Sequence, residues 1–170
     1  MYLCRNYIDK KVNKSLLDEM LSAANLAPSW KNSQTPRFYV ATGEKSKDAV
    51  REALPEFNRK NSENASAYIV TTVVLNRSGF DKDGTAVTEI GNGWGYYDLG
   101  LNNMALLLKA TELGISTLVM GIRDGEKLRK EFDIPETEAV VSVIAVGYTD
   151  SKIVRPKRKS VEDFAKFYEE

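Results

Sequence analysis

Hydrophobic positions along the chain switch repeatedly between a helical and a strand period. From Ser15, SLLDEMLSAANLA sets Leu17, Met20, Leu21 and Ala24 at i, i+3, i+4 and i+7, the apolar face of a helix, with Pro28 just past its end. RFYVAT (37–42) predicts a short strand, Gly43 turns the chain into the exposed amphipathic helix KSKDAVREAL, and Pro55 closes it. AYIVTTVVLN (67–76) is β-branched over too many consecutive positions to be half exposed, so it predicts a central strand covered on both faces. The polar stretch NRSGFDKDGTAVTEIGNG (76–93) is a long loop, and long loops in compact domains tend to be functional or mobile.

WGYYDLGLNNMALLLKATELG (94–114) predicts the longest helix. Its Leu101, Met104, Ala105, Leu107, Leu108 and Ala110 cover more than one stripe, which demands burial on several sides. STLVMG (116–121) is another short strand, DGEKLRKEFDIP (124–135) a helix stopped before Pro135, and AVVSVIAVGY (139–148) the second strongly apolar strand. The tail RPKRKSVEDFAKFYEE (155–170) begins basic and ends in a short amphipathic helix. Helices set between strongly apolar strands predict an α/β or α+β sandwich. At 170 residues, without repeat or low-complexity linker, one domain spanning 1–170 with a hydrophobic core is expected.

Composition narrows the chemistry. Lys plus Arg number 24 and Asp plus Glu number 24, so net charge gives no reason to expect nucleic acid or an anionic membrane as partner. Histidine is absent, which removes the commonest general base, the Ser-His nucleophile and the commonest metal ligand together. Cys4 is the only cysteine, excluding an intramolecular disulfide or a thiolate zinc cluster, and no metal site is expected. No segment approaches the roughly 20 apolar residues of a membrane span and the N-terminus lacks a signal-like stretch, so a soluble cytoplasmic protein is expected. Neither a Gly-x-Gly-x-x-Gly turn nor a Walker A loop occurs. Acid–base work is left to carboxylates, tyrosines and lysines, unless a bound cofactor relieves the protein of it.

One loop is richer than a connector needs. In APSWKNSQTPRFYV (27–40), Pro28 and Pro36 bracket Trp30, Lys31, Asn32, Ser33 and Gln34, crowding hydrogen-bonding side chains around an indole. Such a loop offers backbone and side-chain hydrogen bonds to a ligand at little ordering cost.

The order CRNY (4–7), LAPSWKNSQTPRFYV (26–40), WGYYDLGLNNMALLLKATELGIST (94–117), LVMGIRD (118–124) and VIAVGY (143–148), followed by the basic RPKRKSVED (155–163), resembles the FMN-dependent nitroreductase family over nearly the whole chain. The likeness is to its small-subunit members. It implies an α+β three-layer sandwich, a mixed, mostly antiparallel sheet flanked by helices, in a homodimer whose FMN sites are shared between subunits. It further implies hydride transfer from NADH or NADPH through flavin N5 to a nitroaromatic, quinone or similar small-molecule acceptor. A non-catalytic FMN-binding or flavin-sequestering protein on the same fold is the alternative. No catalytic side chain is needed, since protons can come from water.

Residue by residue, the resemblance assigns Pro28, Ser29, Trp30 and Asn32 to the loop that wraps the partner subunit's flavin. Trp30 stands where the family more often has a small polar residue; it stacks near the ring system, caps the pocket, or fills a hole beneath the loop. Asn32 and Gln34 alternatively satisfy their own turn. Arg5 matches the basic residue beside flavin N1 and the C2 carbonyl, with a surface ion pair to Asp9 or Glu19 as the other possibility. Asn61 falls where an amide meets the ring, with Asn58 and Asn64 as competitors. Met120 and Gly121 match the turn whose backbone N–H approaches N5; a buried thioether is the other reading of Met120. Lys157 and Arg158 match the cations that hold the FMN phosphate, or belong to a solvated run with Arg155 and Lys159. The family's Arg and Ser ahead of Arg5 are replaced by Met1, Tyr2 and Leu3, so phosphate binding rests on the C-terminal cluster alone or the N-terminus is trimmed or replaced.

Overall fold

The computed structural model describes residues 4–151 and 156–169. Four strands form one sheet: β1 (Pro36–Ala41), β2 (Ala67–Val74), β3 (Ser116–Met120) and β4 (Glu138–Gly147), in spatial order β1-β2-β4-β3. The sheet is the middle of three layers. As the resemblance implied, pairing is antiparallel in the main, and among the described residues every pair is antiparallel. The two β-branched runs singled out in the sequence occupy the centre, and Ala67 through Val73 are buried without a break. β1 is an edge strand, opening on Pro36, whose missing N–H is tolerated there, and exposing Arg37. The outer edge of β3 is met by the N-terminal segment, where Cys4 donates its backbone N–H to Thr117 at 3.0 Å.

On one face lie α1 (Lys14–Asn25) and α4 (Gly93–Glu112). Leu17, Met20 and Ala24 from α1 join Leu106, Leu107 and Ala110 from α4 and Ile69, Ile144 and Val146 from the sheet in one apolar cluster. Each large side chain so buried contributes about 1.5–3 kcal/mol, which outweighs the modest helix propensity of short segments. The opposite face carries α2 (Glu44–Glu52), α3 (Glu56–Asn61) and α5 (Gly125–Glu131), packed through Val50, Leu54 and Leu128 onto Tyr68, Val70, Leu118 and Val143. α5 starts on Asp124, whose carboxylate accepts the Lys127 N–H at 3.0 Å as an N-cap should. α4 ends where Gly114 adopts φ +70° and Ile115 N–H returns to the Ala110 carbonyl at 2.8 Å.

β2 and β4 share an irregularity: Thr71 faces Ser142 but Thr72 faces Val140, so Val141 is an extra, bulged residue.

Two elements differ from the sequence expectation. Pro55 does not merely end α2; it is the N-cap of α3, a position that needs no donated N–H. The tail forms only a 3-10 turn at Val161–Asp163, capped by Ser160, in place of an amphipathic helix. Phe164, Phe167 and Tyr168 are exposed, so no apolar face is buried to offset the cost of nucleating a short helix.

Candidate functional site

The residues singled out by sequence fall into three places. Arg5 follows Cys4 at the outer edge of β3; it is exposed and makes no ion pair among the described residues, so the alternatives Asp9 and Glu19 do not hold it. Met120 ends β3 with its thioether buried in the core, and Gly121 follows in exposed chain with no atom within 4 Å of where a Cβ would stand. Backbone at Gly121 is therefore open to close approach. α3 is tied to this region because Asn58 donates its amide to the Ile122 carbonyl at 3.0 Å. Asn58 is thus engaged, and Asn61, one turn on and half-buried, keeps its amide free of any hydrogen bond among the described residues. Arg5, Met120 and Gly121 border the β3 side of the sheet, and Asn61 ends the helix that Asn58 ties to it.

Pro28, Ser29, Trp30 and Asn32 lie in the loop that leads into β1, at the opposite edge. Three strand spacings separate β1 from β3, about 14 Å. One chain does not bring the two groups together. The loop itself is wound tightly, with Lys31, Asn32 and Gln34 at φ 47°, 56° and 49°. Ser29 Oγ accepts the Gln34 N–H at 3.0 Å, and Asn32 Oδ1 accepts from Gln34 Nε2 at 3.2 Å, the self-satisfied turn foreseen for that pair. Trp30 packs against Trp94 of α4, ring centroids 4.7 Å apart and planes tilted by 46°, and Trp94 meets Tyr97 edge-on at 5.8 Å. Trp30 Nε1 is buried without a hydrogen-bond partner among the described residues.

The long loop, residues 75–92, is not slack. Asn76 and Asn92 pair through their amides, the Asp81 N–H donates to the Thr85 carbonyl at 2.9 Å, and Trp94 Nε1 donates to Thr88 Oγ1 at 2.7 Å. Gly79 sits at φ +84°, where an added Cβ would stand 2.7 Å from both the Gly91 carbonyl oxygen and the Trp94 ring. Asp98 anchors this loop to the Trp30 loop. Its oxygens accept the Trp30 N–H at 3.2 and 3.1 Å, and Oδ2 accepts from the Ser78 hydroxyl. Nothing in helical periodicity marks Asp98; only its polarity on a core-facing position of an apolar helix was there to be noticed.

Lys157 and Arg158 stand in the third place. They border an open cleft of about 550 Å³ with Lys159, Ser160 and Asp163. No hydrogen bond or ion pair joins residues 156–169 to the rest of the described chain, and no residue of either group lines this cleft. Met1, Tyr2, Leu3 and Arg155 lie outside the described residues. A second cavity of about 550 Å³, lined by Lys10, Lys11, Lys47, Arg51 and the carboxylates of Asp9, Glu44 and Glu63, holds Asn64, the competitor of Asn61, and no other residue expected at the flavin.

A sequence profile of the Nitroreductase family matches residues 2–148. The chain belongs to the nitroreductase family. A relative from Archaeoglobus fulgidus, provisionally named an NADH dehydrogenase/NAD(P)H nitroreductase, is 27% identical over 151 residues, covering 85% of this chain and 78% of its own. Among solved structures, a nitroreductase family protein from Streptococcus pneumoniae TIGR4 superposes with a TM-score of 0.84 at 21% identity, covering 98% of this chain and 96% of that one. An oxidoreductase containing FMN superposes with a TM-score of 0.75 at 24% identity, over 88% of this chain and 74% of that one. The three-layer nitroreductase fold is therefore shared in full. Among the described residues, no helix of this family member is long and apolar enough to cross a membrane, and no cluster of three potential metal-ligating side chains occurs.

Proposed function

We propose that this nitroreductase-family protein is an FMN-dependent oxidoreductase, working as a homodimer in which each flavin site takes the β3-edge group from one chain and the Pro28–Asn32 loop from the other. The observation that carries the reading is the separation of the two groups across the sheet, each incomplete alone. A second copy supplies the missing half. The stripe Tyr97, Leu101, Met104 and Leu108 on α4 supports it: α4 is buried against α1 and the sheet, yet Tyr97 is 60% and Leu108 54% exposed in the single chain. An apolar stripe of that kind suits an obligate interface.

The donor set fits FMN. Among the described residues, Arg5 is a cation without an ion pair for the pyrimidine side of the ring, Gly121 an unobstructed backbone, Trp30 an indole with an unpartnered N–H, and Lys157 and Arg158 an exposed basic segment for the phosphate. The chemistry FMN supplies when bound is two-electron transfer at N5, from NADH or NADPH and on to a nitroaromatic, quinone or similar acceptor. The chain's residues bind and orient: Arg5 stabilises negative charge on the ring, Trp30 and Trp94 wall the site against water, and residues 75–92 shape the acceptor's approach.

Anaerobic titration tests this. The protein reconstituted with FMN should turn yellow and bleach on addition of NADH or NADPH, then recover colour with a quinone or nitroaromatic. Colour that persists under excess of both reductants would replace the oxidoreductase by a flavin-sequestering protein. Failure to retain FMN would remove both.

A further inference from the structure

Asp98 is 2% exposed, and no cation pairs with its carboxyl group among the described residues. Taking a carboxylate out of water costs several kcal/mol, so one without a cation persists only where donors converge on it. Here the donors come from two different loops. The Trp30 N–H belongs to residues 26–35, expected to touch flavin, and the Ser78 hydroxyl to residues 75–92, expected to face the acceptor. Two further contacts join the same loops: the Trp30 and Trp94 rings, and the Lys31–Asp81 ion pair at 3.2 Å. Both members of that ion pair are more than half exposed, which makes it weak. The buried bridge through Asp98 is the strong one.

We propose that Asp98 is a positioning residue that couples the two loops, so that the seating of residues 75–92 sets the main-chain position of Trp30 in the flavin-contacting loop. The coupling to flavin rests on the function proposed above; the coupling between loops does not. A group that docks on residues 75–92 is then felt at the cofactor through Ser78, Asp98 and the Trp30 N–H in turn. Ser78 makes no side-chain hydrogen bond to a residue of the expected flavin set among the described residues, which makes it the informative position.

The test uses the whole chain with two readouts: near-ultraviolet circular dichroism of the packed indoles in the ligand-free protein, and FMN affinity by flavin fluorescence. Ser78→Ala should weaken FMN binding about three- to tenfold, the net size of one lost hydrogen bond, and should reduce the indole signal of the folded, ligand-free protein, with the melting midpoint lowered by about a few degrees. Asp98→Asn should do more, and adding Ser78→Ala to it should change little further, since both act through one anchor. Additive effects of the two substitutions, or wild-type indole signal and FMN affinity in Ser78→Ala, would overturn the coupling. If wild type itself does not bind FMN, the proposed function fails while the dichroism still decides the coupling. Should Asp98→Asn not fold, Ser78→Ala decides alone.

Discussion

The hydroxyl of Tyr7 donates to the Ala145 carbonyl at 3.2 Å while its ring lies against Gly147, where an added Cβ would stand 2.7 Å from Cδ1. Burial, with Cys4 and Tyr68 nearby, raises this phenol far above its ordinary value of 10.0. A group whose folded-state value is raised contributes stability below its unfolded value and loses it as pH rises. Stability should therefore fall above pH 10, by up to about 1.4 kcal/mol per pH unit. Tyr39, raised first by burial and then by the hydrogen bond it donates to Glu138, adds slope of the same sign. Urea midpoints between pH 8 and 11 should show Tyr7→Phe losing about 1 kcal/mol at the low end of that range and having a flatter, though not flat, alkaline limb.

Gly79 and Gly84 both adopt φ +84°, but an added Cβ meets the Gly91 carbonyl and Trp94 at the first and nothing within 4 Å at the second. Gly84→Ala should cost about 1 kcal/mol, the backbone strain alone. Gly79→Ala should cost about 2–4 kcal/mol, strain plus displacement of Trp94. Equal losses in thermal unfolding would mean that the loop does not pack as described.

Arg5 and Arg158 should fail differently. Arg5→Ala removes a cation beside the ring, and the reduced flavin should lose about 1–3 kcal/mol relative to the oxidised form. With about 30 mV for each 1.4 kcal/mol in a two-electron couple, the midpoint potential should fall by some tens of millivolts. Arg158→Ala should weaken FMN binding in both redox states with little change in potential, and less so at high salt, where the wild-type contact is already screened. Redox titration with FMN in excess separates them; equal shifts in both variants would take Arg5 away from the ring.

Shared sites make flavin retention depend on assembly. Diluting the protein should lower FMN occupancy, and Leu108→Glu, which places a charge on the exposed stripe of α4, should lower it at concentrations where wild type stays loaded. Analytical ultracentrifugation read at the flavin band would show monomers without colour. Coloured monomers would mean that one chain holds the whole site.

Runs of β-branched residues made β2 and β4 legible because a strand buried on both faces cannot alternate, and the i, i+3, i+4 spacing did the same for α1. The loop around Trp30 was legible from its side chains alone. Asp98 was not, since its partners Trp30 and Ser78 are distant in sequence and a lone acid in an apolar helix has no period. The Trp30–Trp94 pair escaped for the same reason. The tail misled because an amphipathic pattern states what a helix would bury, not whether a surface is there to receive it. On α4 the same logic ran the other way: its pattern called for more cover than one chain supplies at Met104 and Leu108.

The extra residue at Val141 changes the parity of its strand. C-terminal to it, odd numbers such as Val143 and Ala145 belong to the α2–α5 side; N-terminal to it, even numbers do, which is how Val140 joins that core and Glu138 reaches Thr72 and Tyr39. Counting by twos from Val143 would send Glu138 to the α1–α4 side instead. Deleting Val141 would restore unbroken alternation and leave Val140 and Glu138 on the faces they now hold, whereas pairing the full-length strand without its bulge would exchange them. The strand's first half therefore takes its address from a count, and its hydrophobicity alone would place it wrongly.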